Sequence, residues 1–566
     1  MKITTPNYFS ALMLLLNWII SSIAVAAEDC ELAFVPVTGS YRFVQEQTPQ
    51  QAYPAGTPLG EINFTRLQIF DETNPDENNL LFRWANRFHI MTREATVSQQ
   101  LLFDSGQAYS SSILEESSRL LRRQGYLYDA DIRPIRHCNE RIDIEVITKD
   151  NWSLTPNFSF DRSGSENAYS FGLRDSNTLG MGKVLAVASS QDHDNDRRSS
   201  ELIYEDNNVL GSRVTNRTTL IDSDDGFTRA FELALPFFSL DSRQSWSVRL
   251  EDVERQDEQY FRGDDVSEVE HNIEDFELEY GFSQGLVNGT VKRWGIGYRY
   301  RNDQFGLGDE LPPPVQFPDD KELSTVYFEY EVLQDYFDTA FNLDQIYRTE
   351  DIHLGYHLSN RFGVAADAFG SDQDRLVVDG FFSDTLFFNN DVLWQHSLEW
   401  EGLWNLDEDV AEDVQISYET RYFRRQTDNR SFFASLEAVY SKHLNSHRQI
   451  LLGGLSGARA FDNRFQVGDR SLLLTLEERL YTDIHLWNLI RVGGALFVDV
   501  GRAWEPGFDN GVEDDLLANI GVGLRLASSK AGSGRIAHID FSFPLTNRSD
   551  RDVRDLQVSF NVKSRF

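Results

Sequence analysis

Positive charge is scarce in this chain: 53 Lys and Arg stand against 90 Asp and Glu over 566 residues, a formal net charge of -37. DNA, RNA and anionic inner-leaflet lipid all require a cationic surface, so the balance argues against each of them as a partner. Acidic stretches such as "QDHDNDRR", "DSDDG" and "NLDEDVAED" read as hydrated loops. Cysteine is scarcer still. The two present, Cys30 and Cys138, fall in the first quarter of the chain. In an oxidising compartment they can pair across a long loop, worth roughly 4 to 5 kcal/mol by the chain-entropy model, and the sequence leaves that pairing open. Beyond the N-terminus, no stretch approaches the roughly 18 consecutive apolar residues of a transmembrane helix.

Catalytic signatures are missing too. There is no HExxH, no paired-cysteine motif and no phosphate loop. "GGLSGA" comes near a nucleophile elbow, but Ala458 stands two residues after Ser456 where glycine is needed, and no strand-turn-helix surrounds it. His193, in "DHD", reads as an isolated solvated histidine rather than a metal ligand. No enzyme, cofactor or metal is expected.

What is present begins at the N-terminus. Lys2 precedes the apolar run "ALMLLLNWII" and then "AVAAED", a small-residue cleavage site, so residues 1–27 read as a secretory signal peptide. A membrane anchor fits less well, because Asn17 and two serines interrupt the run. Residues 28–58 form an N-terminal extension.

Residues 59–150 read as a small α+β domain. "EINFTRLQIF" alternates as a strand and "NLLFRWANRFHI" has helical spacing. "SILEESSRLLRRQG" predicts a helix with Ser112 and Glu115 as a capping box and Gly125 at its end. "YLYDADIRP" and "RIDIEVIT" give two further strands.

From residue 153 the helical signal stops and period two takes over. In "VYFEYEV", Val326, Phe328, Tyr330 and Val332 oppose Tyr327, Glu329 and Glu331. In the last segment, Leu556, Val558, Phe560 and Val562 oppose Gln557, Ser559 and Asn561. Aromatics make up 13% of the chain, with 40 Phe and 21 Tyr, while the mean hydropathy is only -0.43. A soluble all-β fold would bury apolar residues inside. Here one face is polar nearly throughout, which suits a closed barrel with an apolar outside and a polar inside. The expected fold is a transmembrane antiparallel β-barrel over residues 153–566, of about 16 strands or more.

Two motifs in the last quarter carry a resemblance. "GGLSGARAFDNRF" includes Gly457, Ala458, Arg459, Ala460 and Phe461, and "LFVDVG" supplies Phe497, Asp499 and Gly501. Together with the earlier "FGLRDSNTLGMGK", residues 171 to 183, and five strands closing the chain, this resembles the outer-membrane assembly and two-partner-secretion superfamily, or bacterial surface antigens. In that family a polypeptide-transport-associated (POTRA) domain precedes the barrel. Its sixth extracellular loop folds inward, carrying a hydrophobic-Arg-Gly-aromatic tip that engages a Phe-x-Asp-x-Gly wall motif.

The resemblance implies an inward loop at 453–468 and a lumen pair between Arg459 and Asp499. Ala460 stands at the motif's glycine, and eleven strands are implied upstream of the loop. Phe560, Val562 and Phe566 resemble a C-terminal barrel signal. The implied location is the outer membrane of a Gram-negative bacterium, with the POTRA-like domain in the periplasm. Implied partners are outer-membrane lipid and lipopolysaccharide, an unfolded polypeptide client and periplasmic or lipoprotein partners. Assistance in polypeptide insertion or translocation is the implied function; a passive channel or structural surface barrel remains the alternative.

Overall fold

The computed structural model describes residues 30–32, 53–138, 140–163, 166–192, 198–388, 391–532 and 535–563. The predicted signal peptide, His193 and Phe566 lie outside them. Among the described residues, four strands and three helices make up the N-terminal domain: β1 (Cys30–Leu32), β2 (Leu59–Leu67), α1 (Leu80–Phe88), α2 (Glu94–Ser98), α3 (Ser111–Arg122), β3 (Leu127–Cys138) and β4 (Arg141–Asp150). The sheet order is β1-β3-β4-β2, with β2 parallel to β4 and the other pairs antiparallel. Its core forms where the inward residues of the strands meet the helices, with Leu59, Val97, Leu114, Leu121, Ile132, Ile144 and Val146 all buried.

Three details differ from the sequence reading. The N-cap of α3 is Ser110, not Ser112, and its side chain makes no capping hydrogen bond; Ser110 Oγ instead meets Ser112 Oγ at 2.8 Å, so the capping box does not form. A short helix, α2, intervenes where no periodic signal marks one. Finally, β1 occupies the outer edge of β3 and sets Cys30 directly opposite Cys138 in the ladder.

Among the described residues, all remaining strands but four form one antiparallel barrel of twenty. Five follow the loop at 443–469, and fifteen precede it where the resemblance implied eleven. The ring closes where Gln557–Lys563 meets Leu154–Ser163, with Phe560 opposite Arg162 as the registered pair among the described residues. Most neighbouring strands share nine or more registered pairs.

Period two sorts the side chains as lipid demands. On the strand Lys321–Gln334, Val326 and Phe328 point outward while Tyr327 is buried inward against Glu277 and Glu279. On Gln557–Lys563, Val558 and Val562 are exposed while Gln557, Ser559 and Asn561 are buried. An apolar exterior around a polar lumen, with backbone groups paired in a ring, is the arrangement that spans a bilayer. Several strands far exceed the roughly ten residues needed for that crossing: Gln244–Phe261, Asp264–Val287 and Thr290–Leu307 have 18, 24 and 18 residues. Their near turn touches the α+β domain at Leu240 and their far turn, Arg262–Gly263, meets the loop at Arg464, which marks the end distal to that domain.

Candidate functional site

Two chain segments fold into the lumen, one from each end. The distal one is the loop 443–469, whose short strands Ile450–Leu452 and Gln466–Gly468 pair with each other and leave residues 453–465 as a tip between them. Arg459 lies at the centre of this tip. Its Nε and one terminal nitrogen donate to the two carboxylate oxygens of Asp499, each at 2.8 Å, a fork-to-fork pair. The same terminal nitrogen reaches Glu477 Oε1 at 3.0 Å. The guanidinium also stacks 3.5 Å from the centroid of the Phe497 ring.

Strand register builds the receiving wall. Thr475, Asp499 and Asn519 form one row across three adjacent strands, so Thr475 Oγ1 (3.1 Å) and Asn519 Nδ2 (2.9 Å) both donate to Asp499 and fix its carboxylate for the arginine. In the next row, Glu477, Phe497 and Gly521 are partners. A Cβ on Gly521 would stand 2.3 Å from Phe497 Cζ, so only glycine lets the ring lie flat beneath Arg459. Asp499, Phe497 and Glu477 are all buried.

The rest of the tip is apolar and enclosed. Ala458, Ala460, Phe461 and Phe465 pack with Leu452, Leu473, Ala503 and Leu517. Gly457, at φ +100°, leaves room for Leu473. Ala460 does not take a positive φ, whereas Ala458 does, at +55°. Alanine at the family's glycine position is therefore accommodated without strain. Gly501 faces Leu452 and Leu473, and an added Cβ would sit 2.9 Å from the Leu472 carbonyl. Ser456 is exposed beside the turn. Val562 faces outward on the last strand, with Phe560 on the same face.

From the proximal end comes a second plug that period-two reading missed. Between the barrel strands Lys321–Gln334 and His357–Ala365, the strands Phe337–Phe341 and Thr349–His353 form a separate hairpin. Its tip reaches strands Val410–Thr427 and Arg470–Leu486, three and five places along the ring from His357–Ala365: Asp344 takes both oxygens to Arg421 (2.6 and 2.7 Å), and Arg479 and the Tyr481 hydroxyl donate to the Leu343 carbonyl, each at 3.0 Å. Its other side is held by the α+β domain. Arg122 Nε donates to Asp351 at 2.8 Å, Thr349 Oγ1 donates to Asp129 at 2.7 Å, and Arg348 stacks 4.7 Å from the Tyr128 centroid. Burial pushes the Asp129 carboxyl up to about 6, opposed by the Thr349 hydrogen bond and by Arg122.

The domain also grips the proximal turns. Arg93 N and Thr96 Oγ1 both donate to the Gly180 carbonyl, at 2.9 and 3.0 Å, and Asn177 Nδ2 donates to Thr92 Oγ1 at 2.8 Å. Gly180 and Gly182 both have positive φ, and a Cβ on them would stand 2.5 Å from the Met91 carbonyl and 2.7 Å from the Tyr126 ring. That close approach is the physical content of the "NTLGMGK" stretch. Lys530 Nζ to Glu77 (2.7 Å) and Leu240 N to Glu116 (2.7 Å) extend the docking around the ring.

No family model matches the chain, and no curated protein matches it. Among solved structures, it is similar to BamA from Haemophilus ducreyi lacking POTRA domains 1-3, at 14% identity and TM-score 0.37 over 90% of this chain and 85% of that one. CdiB from Acinetobacter baumannii gives 12% identity and TM-score 0.45, covering 90% and 74%. The FrpB iron transporter from Neisseria meningitidis gives 9% and 0.39, covering 90% and 94%.

Proposed function

We propose that this chain is an outer-membrane barrel of the assembly and two-partner-secretion type, which assists insertion or translocation of polypeptide. Residues 59–150 serve as its POTRA-like periplasmic domain. The observation that carries the reading is a wide, polar-lined barrel occupied by two segments held through charged and polar contacts, the Arg459 tip distally and the hairpin 335–356 proximally. Charged contacts hold both, so each can be exchanged for contacts with a passing chain. A small-solute pore needs no such domain-linked plug.

Pairing of β1 along β3 marks that edge as competent for strand addition, and an extended client would take the place of β1 by the same ladder. The test is the outer-membrane and secreted proteome of a deletion strain. Selective loss of one or more exported or inserted proteins supports the proposal; an unchanged proteome overturns it. The alternative, a plugged structural barrel, draws on the buried bidentate pair of Arg459 with Asp499. It predicts the unchanged proteome.

A further inference from the structure

Where the distal loop leaves the wall, three potential ligands converge that belong to neither plug contact described above. Asp257 lies on Gln244–Phe261, His271 on Asp264–Val287, and His447 on the descending arm of the loop itself. Each offers a ligand atom, and these atoms lie within 4.8 Å of one another. His271 is 1% exposed; its Nδ1 is 2.6 Å from Asp257 Oδ2, and its Nε2 is 2.9 Å from Asp303 Oδ1. Nδ1 of His447 is buried and has no hydrogen-bond partner among the described residues. The Phe305 ring stacks on His271 at 4.3 Å and meets His447 at 4.7 Å, forming an apolar floor that holds both imidazoles on one side.

We propose that Asp257, His271 and His447 bind a divalent transition-metal ion of the zinc class, and that this ion fastens the inward-folded loop to the distal rim of the barrel. Two imidazoles and one carboxylate suit zinc, nickel or copper, whereas calcium and magnesium demand more oxygen ligands. Asp303 is the positioning residue: a metal-bound histidine characteristically gives its other ring N–H to a carboxylate, which fixes the tautomer and orients the ring. Arg255 Nε donates to Asp257 Oδ1 at 2.8 Å, and its terminal nitrogen, 3.3 Å from Asp257 Oδ2 and 3.4 Å from His271 Nδ1, is the cation that the ion displaces. Arg301 holds Asp303 in the same manner, at 2.7 Å.

Binding replaces the hydrogen between His271 and Asp257 with the ion, and that proton passes to solvent. The loop has further anchors here, since Tyr260 N donates to Gln449 Oε1 at 2.8 Å and Gly263 N donates to the Arg464 carbonyl at 3.2 Å. An ion on His447 would therefore lock a shoulder that already touches the wall. Asp257 and His447 are only partly buried, and Asp257 lies late on an 18-residue strand, beyond the roughly ten residues needed to cross a bilayer, so an ion would reach the site from the distal side.

The test titrates the metal-stripped, full-length protein in detergent with zinc alone, by calorimetry in two buffers of different protonation enthalpy. The expected result is one ion per chain with proton release. His447→Ala should abolish that binding, Asp303→Asn should weaken it about 10- to 100-fold, and the exposed His443→Ala should leave it unchanged. Zinc should also slow proteolysis within residues 443–469 in the wild type and not in His447→Ala. Heat-modifiable electrophoretic mobility shows that each barrel is folded; because His447 sits on the loop, its variant tests the site even if His271→Gln does not fold. Absence of stoichiometric binding, or binding untouched by His447→Ala, overturns the proposal. Neither readout depends on what the barrel transports.

Discussion

Replacing Arg459 with alanine removes a cation from among three carboxylates, those of Asp499, Glu477 and, at 3.6 Å, Asp540, while leaving them where they are. Asp499 and Glu477, 1% and 5% exposed, would lose a partner at 2.8 and 3.0 Å, and Phe497 would lose the guanidinium above it. Stripping one member from a buried pair costs roughly 3 to 5 kcal/mol. Asp499 keeps Thr475 and Asn519, and Glu477 keeps Arg479 at 3.0 Å, so the lower end applies. About 3 kcal/mol moves the equilibrium between inward and released tip by roughly a hundredfold. In planar bilayers Arg459→Ala should open far more often than the wild type, and a spin label on the tip should report new, longer distances to the wall. Arg459→Lys keeps the charge but loses the fork, and should fall between the two. Wild-type conductance together with an unmoved tip in Arg459→Ala would refute the reasoning.

Three other outcomes follow from the geometry. Gly521→Ala drives a Cβ to 2.3 Å from Phe497 and should destabilise the tip by about 1 to 3 kcal/mol, read as a lower midpoint for proteolytic opening of the loop. Asp129, raised by burial from 3.8 to about 6, stabilises the folded, docked protein relative to the unfolded chain while protonated; that contribution should be lost as pH rises from about 4 through 6. Hydrogen exchange across Thr349–His353 measures this, and Asp129→Asn should flatten the pH dependence. Since the ladder sets Cys30 opposite Cys138, both should resist alkylation in the unreduced, unfolded protein and react after reduction.

Much of the barrel was legible because lipid outside and water inside impose opposite chemistry on alternate residues. Val326 against Tyr327 and Val558 against Ser559 declare their faces without help from neighbours. The Arg459–Asp499 contact was legible only through the resemblance, since nothing in a lone arginine selects one acid among 90. Glu477, Thr475 and Asn519 looked like any other lumen residues because register, not local pattern, brings them into rows. The hairpin Phe337–Phe341 with Thr349–His353 was missed because five-residue strands carry too few alternations to distinguish a plug from a wall. The strand total stayed open upward from about 16 because continuous alternation does not say where a chain turns; the strands beyond that number lie upstream of the loop. The cluster at His271 joins residues that lie far apart in sequence, beyond the reach of any spacing rule.

Whether polypeptide passes through this lumen is the central question, and site-specific photo-crosslinking addresses it directly. A photoreactive residue at Ser417, beside a cavity of about 380 Å³ lined by Glu329, Arg361, Asp379 and Glu399, samples the path in growing cells. The account predicts ultraviolet-dependent adducts with exported or membrane-inserting polypeptides, increased by Arg459→Ala and absent from a probe at the outward-facing Ile416. Only internal crosslinks to the chain itself, in wild type and variant alike, would contradict it.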